Sequence, residues 1–309
     1  MSIRTEAPSI TGEIQRYLAT GSTDAYMSAW PGDLRQQADQ SHRDLRGALI
    51  REVLRRSGTS SHAPLPAVDF LELTRRKVKP IVDGLFPKHE REAVLRLLER
   101  SVVFVSNENI ASILLEERWH HTAWDIANLH LATLDLPLLG PSARTLVGLS
   151  QETTCYLSPG HFIDAEAGSD FLVHEVAHIF HNCKRRAAGL PETRTREWLL
   201  DIEFRKRETF AYACEFYSQI RERAADASER RRLAAEFDAS RLTDERVDGS
   251  ELANILQEAA KVRNGWKLIL TSCAAARVRW RHEGRRRVDQ ARGDGVGRGR
   301  GSHAPLRRH

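Results

Sequence analysis

Apolar residues return every three or four positions along the front of the chain, with charged residues between them. Ser41 to Arg56 (SHRDLRGALIREVLRR) places Leu45, Leu49, Val53 and Leu54 on one stripe with arginines opposite, and Glu90 to Arg100 repeats this with Val94, Leu97 and Leu98. That is the period of helices that bury one face. Between them, SGTSSHAPLPA combines turn formers with two prolines, which predicts a loop or linker. SVVFV at Ser101 to Val105 reads as a short strand and Ile110 to Leu134 as one or two helices. His120, His121 and His130 fall there beside Trp119 and Trp124. Core or surface histidines are expected there.

The pattern changes after Thr145. TLVGL, TTCYL and HFID are short β-prone segments broken by Ser150, Ser158, Pro159 and Gly160. They lead into DFLVHEVAHIFHNCK, Asp170 to Lys184, an apolar helical pattern that holds three histidines and a glutamate, with Gly168, Ser169 and Asp170 as start signals. REWLLDIEFRKRETFAYACEFYSQI, Arg196 to Ile220, reads as one long helix, and Ser228 to Phe237, Ser250 to Val262 and Gly265 to Arg281 as further helices. The predicted class is therefore α+β and mostly helical, with a small sheet ahead of the histidine-bearing helix and a second helix after it.

Composition narrows the setting. At 309 residues, 41% hydrophobic and 29% charged, the chain can bury a sizeable core and matches a soluble globular protein. It has no apolar run of about 18 residues, and MSIRTEAPSITGEIQRYL lacks the basic-then-apolar order of a secretory signal. A cytoplasmic protein without a membrane partner is expected. The four cysteines, Cys155, Cys183, Cys214 and Cys273, form no C-x-x-C pair, which argues against a thiolate zinc knuckle or a disulfide framework.

The net charge of +5 is unevenly spread: from Arg277 onward eleven arginines face three acidic residues, a net of +8, which leaves −3 on the preceding chain. VDQARGDGVGRGRGSHAPLRRH has almost no large apolar groups with which to offset the entropy of ordering. It predicts a basic disordered tail over 283–309, with weak nucleic-acid contact through phosphates as the partner its RGRG element allows. The remainder divides into an N-terminal helical region, 1–100, and a second domain, 101–282.

The chemistry lies in HEVAH. His174 and His178 are four residues apart, so a helix puts both rings on one face, one turn apart, within reach of one zinc ion. Glu175 then falls beside the metal and not on it, where it can take a proton from a metal-activated water and pass it to a leaving amine. A third ligand is still required. His181 shares the face, but an unbroken helix carries it about 4.5 Å further along the axis, and no glycine follows to turn the chain back. Glu208, followed by the small residues Ala211, Ala213 and Cys214, suits a closely approaching second helix. Glu215 lies two turns on, and spacing alone does not exclude it.

HEVAH followed about thirty residues later by RETFAYACEFYS resembles the gluzincin class of HExxH zinc metallopeptidases, loosely in the ImmA/IrrE-like pattern. The resemblance covers roughly Thr145 to Ile220; it departs from that pattern at Thr209 and in lacking an apolar-Met-Pro end. It implies a zincin-type active-site helix with His174, His178 and Glu208 as zinc ligands and Glu175 as general base. The reaction implied is peptide-bond hydrolysis on a protein or peptide lying along an edge strand such as Thr153 to Leu157. Tyr212 or His161 would donate to the oxyanion, and Asp201 would orient a metal-bound imidazole. The competing readings are a regulatory or DNA-associated protein with a structural zinc site, and a catalytically inactive zincin-like scaffold. Glu175 favours the enzyme, because a structural site has no use for a base there.

Overall fold

The computed structural model describes residues 9–58, 69–159, 170–242 and 244–275. The linker centred on 59–68, HFID with His161, and the 283–309 tail lie outside the described residues. Helices dominate: α1 (Ile10–Thr20), α2 (Leu34–Ser57), α3 (Phe70–Leu85) and α4 (Arg91–Ser101) lead into strand β1 (Val102–Phe104). Helices α5 (Ile110–Glu116) and α6 (His120–Thr133) precede strands β2 (Gly148–Gln151) and β3 (Thr154–Leu157). Then come α7 (Phe171–Asn182), α8 (Arg207–Arg223), α9 (Ala227–Ala235), α10 (Gly249–Lys261) and α11 (Gly265–Cys273). The class is α+β, mostly helical, with the small sheet ahead of the HEVAH helix.

Two apolar cores organise the elements. One joins Val78, Ile81 and Val82 of α3 and Leu97 and Leu98 of α4 to Cys155 and Leu157 of β3. It continues through the buried faces of α7, α8, α10 and α11. The other gathers Tyr17, Leu45, Leu49, Val53, Ile110, Leu114, Trp124 and Leu129 from α1, α2, α5 and α6. Each core mixes residues from both sides of position 100, so packing does not separate 1–100 from the later elements. All four cysteines are free and buried as small core residues.

The sheet order is β1-β3-β2, with β1 parallel and β2 antiparallel to β3. Thr154–Leu157 is thus the central strand. Its backbone groups are used on both sides, and the expectation that Thr153 to Leu157 forms a free edge is corrected: β1 and β2 are the edge strands, and β2 packs beside α7.

A second correction concerns Arg196 to Ile220, which is not one helix, since α8 begins at Arg207. Upstream, Leu199 N–H donates to Cys183 O (2.9 Å) and Leu200 N–H to Phe180 O (2.8 Å), and Ile202 bridges to Ala274. These tertiary bonds hold 199–202 out of an α-helix and override its helical propensity. Asp201 is exposed and lies outside α8, so it does not share the face of Glu208.

A buried ion pair fastens the start of α4 to the segment after α7. Arg185 Nη2 donates to Glu90 Oε1 at 2.7 Å, and both side chains are almost fully enclosed. Removing one partner leaves an uncompensated buried charge, so Glu90→Ala is expected to lower unfolding stability by about 3–5 kcal/mol. Urea denaturation of the variant checks this, and a loss under about 1 kcal/mol would show that water reaches Arg185.

Candidate metal centre

Helix α7 explains why an apolar segment carries so many rings. Leu172, Val173, Val176, Ala177, Ile179 and Phe180 are fully buried, each large aliphatic or aromatic side chain contributing about 1.5–3 kcal/mol, which fixes the helix in the core. Asp170 caps it, its side chain accepting from Val173 N–H at 3.4 Å. The remaining face presents His174, His178 and His181 toward α8.

There the donor atoms converge. His174 Nε2 and His178 Nε2 are 3.3 Å apart, and Glu208 Oε2 lies 3.5 Å from His178 Nε2 and 3.9 Å from His174 Nε2. Ligands about 2.0–2.1 Å from a tetrahedral ion stand roughly 3.3–3.4 Å from each other, so the spacing fits a metal. His174, His178 and Glu208 form a group that could hold a metal ion, and no fourth His, Cys, Asp or Glu joins them among the described residues.

The outward atoms of these three residues are occupied in a way that leaves the inward ones free. His174 Nδ1 meets Glu215 Oε2 at 3.1 Å, and Glu215 Oε1 also accepts from the Asp170 backbone N–H at 3.2 Å. With the proton on Nδ1, the Nε2 lone pair points into the cluster. His178 Nδ1 meets His181 Nε2 at 3.0 Å, and His181 Nδ1 meets Asn182 Oδ1 at 3.0 Å. Protons on His178 Nδ1 and His181 Nδ1 satisfy this chain and again leave Nε2 of His178 free. Glu208 Oε1 is taken by Arg246 Nη1 at 2.7 Å, while Asp244 holds the same guanidinium at 2.6 Å. Only Oε2 of Glu208 faces the histidines.

Charge follows this geometry. Burial works to push His174 down, but the bonded Glu215 and the carboxylates of Glu175 and Glu208 hold it above its ordinary value. His178 is held well below, first by burial and then by neighbouring His174 and His181. His181 is lowered to about 4 by burial and by Arg207.

Glu175 sits one residue along and is not part of the donor group. It lines a cleft of about 1080 Å³ together with His174, His178, Glu208 and Thr145–Ser150. Ser150 Oγ donates to Glu175 Oε2 and also lies 3.0 Å from Glu175 O. Gly148 makes the approach possible, because a Cβ there would fall 2.7 Å from Glu175 Cγ. Burial raises the Glu175 carboxyl above its ordinary value, against the lowering effects of His174 and Ser150.

Tyr212 is half-buried, its ring edge-on to His174 at 4.5 Å between centroids. Burial, with Asp244, Glu215 and Glu208 nearby, pushes its phenol up to about 12, so it remains a proton donor at neutral pH. The structure thus brings together His174, Glu175, His178, Glu208 and Tyr212. Glu215 and His181, not Asp201, lie against the outward nitrogens of the His174 and His178 rings. Ser150, Gly148, Asp244 and Arg246 carry no local sequence signal and reach the site only through the fold.

No family model, curated protein or solved structure gives a significant match to the chain. No helix among the described residues is long and apolar enough to cross a membrane.

Proposed function

We propose that the chain is a zinc-dependent metallopeptidase of the HExxH type, close in plan to the gluzincins. The observation that carries this reading is the convergence of His174 Nε2, His178 Nε2 and Glu208 Oε2 within 3.3–3.9 Å, in a cleft also lined by the separate carboxylate of Glu175. Two imidazoles and one carboxylate suit zinc, and three protein ligands leave a position for water or substrate, whereas a structural site usually closes it. When bound, the zinc ion supplies Lewis acidity toward water and the substrate carbonyl.

The chain's own groups do the rest. The Glu175 carboxylate accepts a proton from the attacking water and returns it to the leaving amine, held in place by the Ser150 hydroxyl. The Tyr212 hydroxyl donates to the carbonyl oxygen as negative charge develops there. Strand β2, an edge strand that lines the cleft with Glu175, offers backbone groups that pair with no other strand among the described residues, and along these an extended peptide pairs. Glu215 and His181 keep the two imidazoles in the tautomer and orientation that ligation needs.

The test is metal analysis of the purified protein followed by incubation of the zinc-loaded form with a proteome-derived peptide library. One equivalent of zinc is expected, with internal cleavages that a chelator abolishes and added zinc restores. A zinc-loaded protein that cleaves nothing in the library would overturn the reading.

A further inference from the structure

The cleft contains three arginines, and they are not equivalent. Arg246 is already committed to Glu208 and Asp244. Arg205 and Arg207 line the same cleft and have no ion pair among the described residues. Arg207 opens α8 directly before Glu208; its guanidinium lies over the Phe204 ring at 5.3 Å, and its Nε is buried without a hydrogen-bond partner among the described residues. A buried guanidinium N–H without an acceptor is costly and rare in native proteins.

The acids of the cleft are not paired with Arg205 or Arg207. Glu175 is bonded to Ser150, Glu208 to Arg246 and Glu215 to His174. Phe204 stands 76% exposed beside the two arginines, adding an apolar surface to an uncompensated cationic one. A planar guanidinium fork on an aromatic face is suited to a carboxylate, which it grips by two parallel bonds.

We propose that Arg205 and Arg207 form a subsite for a carboxylate of the peptide substrate, so that the enzyme selects peptides with a negative charge close to the scissile bond. This rests on the peptidase reading and specifies its substrate class. The carboxylate comes from an Asp or Glu side chain or from a free C-terminus, and both present the same group to the arginine pair.

Binding, read without turnover, tests the subsite separately from hydrolysis. Zinc-loaded Glu175→Gln is titrated calorimetrically with three sets of short, N-acetylated peptides: C-amidated peptides with Glu scanned through each position, the matching Gln peptides, and the Gln peptides with a free C-terminus. One carboxylate-bearing set is expected to bind at least about tenfold more tightly than the neutral set, and which set does so names the source. Adding Arg205→Gln and Arg207→Gln should lower that set to the affinity of the neutral peptides, with zinc stoichiometry unaltered. Equal binding of all three sets, no binding of any, or a preference that survives the double substitution would overturn the proposal. Library cleavage by the parent protein without acidic preference would leave the peptidase reading standing and remove the subsite.

Discussion

Glu175→Gln is expected to keep the fold and the zinc while lowering peptide hydrolysis by about 10²–10⁴-fold, the usual contribution of a positioned general acid–base. The amide preserves the volume beside Gly148, where a Cβ would have no room, and an oxygen acceptor for the Ser150 hydroxyl. It removes only the capacity to take a proton. Because Glu175 lies outside the His174–His178–Glu208 group, zinc stoichiometry should not change, and turnover at equal metal content isolates the proton transfer. Metal-loaded Glu175→Gln that cleaves as fast as the parent would mean that another group serves as base.

The local part of this site was legible in the sequence because it depends on helical spacing alone. His174, Glu175 and His178 fall within one stretch of five residues, and any helix there places two rings on one face with the carboxylate beside them. Glu208 was accessible at one remove, through the small residues Ala211, Ala213 and Cys214, all fully buried in the structure. The reading of Asp201 failed where helical periodicity was extended across 196–206. The backbone groups of Leu199 and Leu200 are instead bonded to the residues that end α7, and no propensity in that stretch reports this.

Helix α3 was obscured by Pro80, which sits inside it. Proline ordinarily ends a helix because it lacks an N–H and crowds the preceding turn. Here the buried positions Leu73, Val78, Ile81 and Val82 keep the helix seated against the core on both sides of the ring. Gly148, Ser150 and Arg246 were illegible for a different reason. Each contributes by meeting a residue distant in sequence, Glu175 for the first two and Glu208 for the third. The choice between central and edge strand was likewise invisible, since β2 and β3 are both short and only the pairing of β1 with β3 decides which is enclosed.

The second large effect separates Glu208 from Glu215, which the sequence leaves on one helical face. In the structure they occupy two different shells around the same histidine. Glu208 Oε2 lies 3.9 Å from His174 Nε2, on the inward side of the ring, whereas Glu215 Oε2 lies 3.1 Å from His174 Nδ1, on the outward side. Their separation of about 10.5 Å along the α8 axis keeps both from reaching one ion at the roughly 2.0–2.2 Å zinc–oxygen distance. Glu208→Ala is therefore expected to lose more than about 100-fold in zinc affinity, and Glu215→Gln about 10–100-fold, as an outer partner of a ligating imidazole. The Gln substitution keeps an oxygen for the Asp170 backbone N–H that Glu215 also holds, so the loss reports orientation of His174 and not collapse of the α7–α8 junction. Competitive titration against a chelator, with the melting temperature of each apo variant as a check on folding, measures both. A larger loss for Glu215→Gln would transfer the ligand role to Glu215 and make Glu208 a rim carboxylate whose main partner is Arg246.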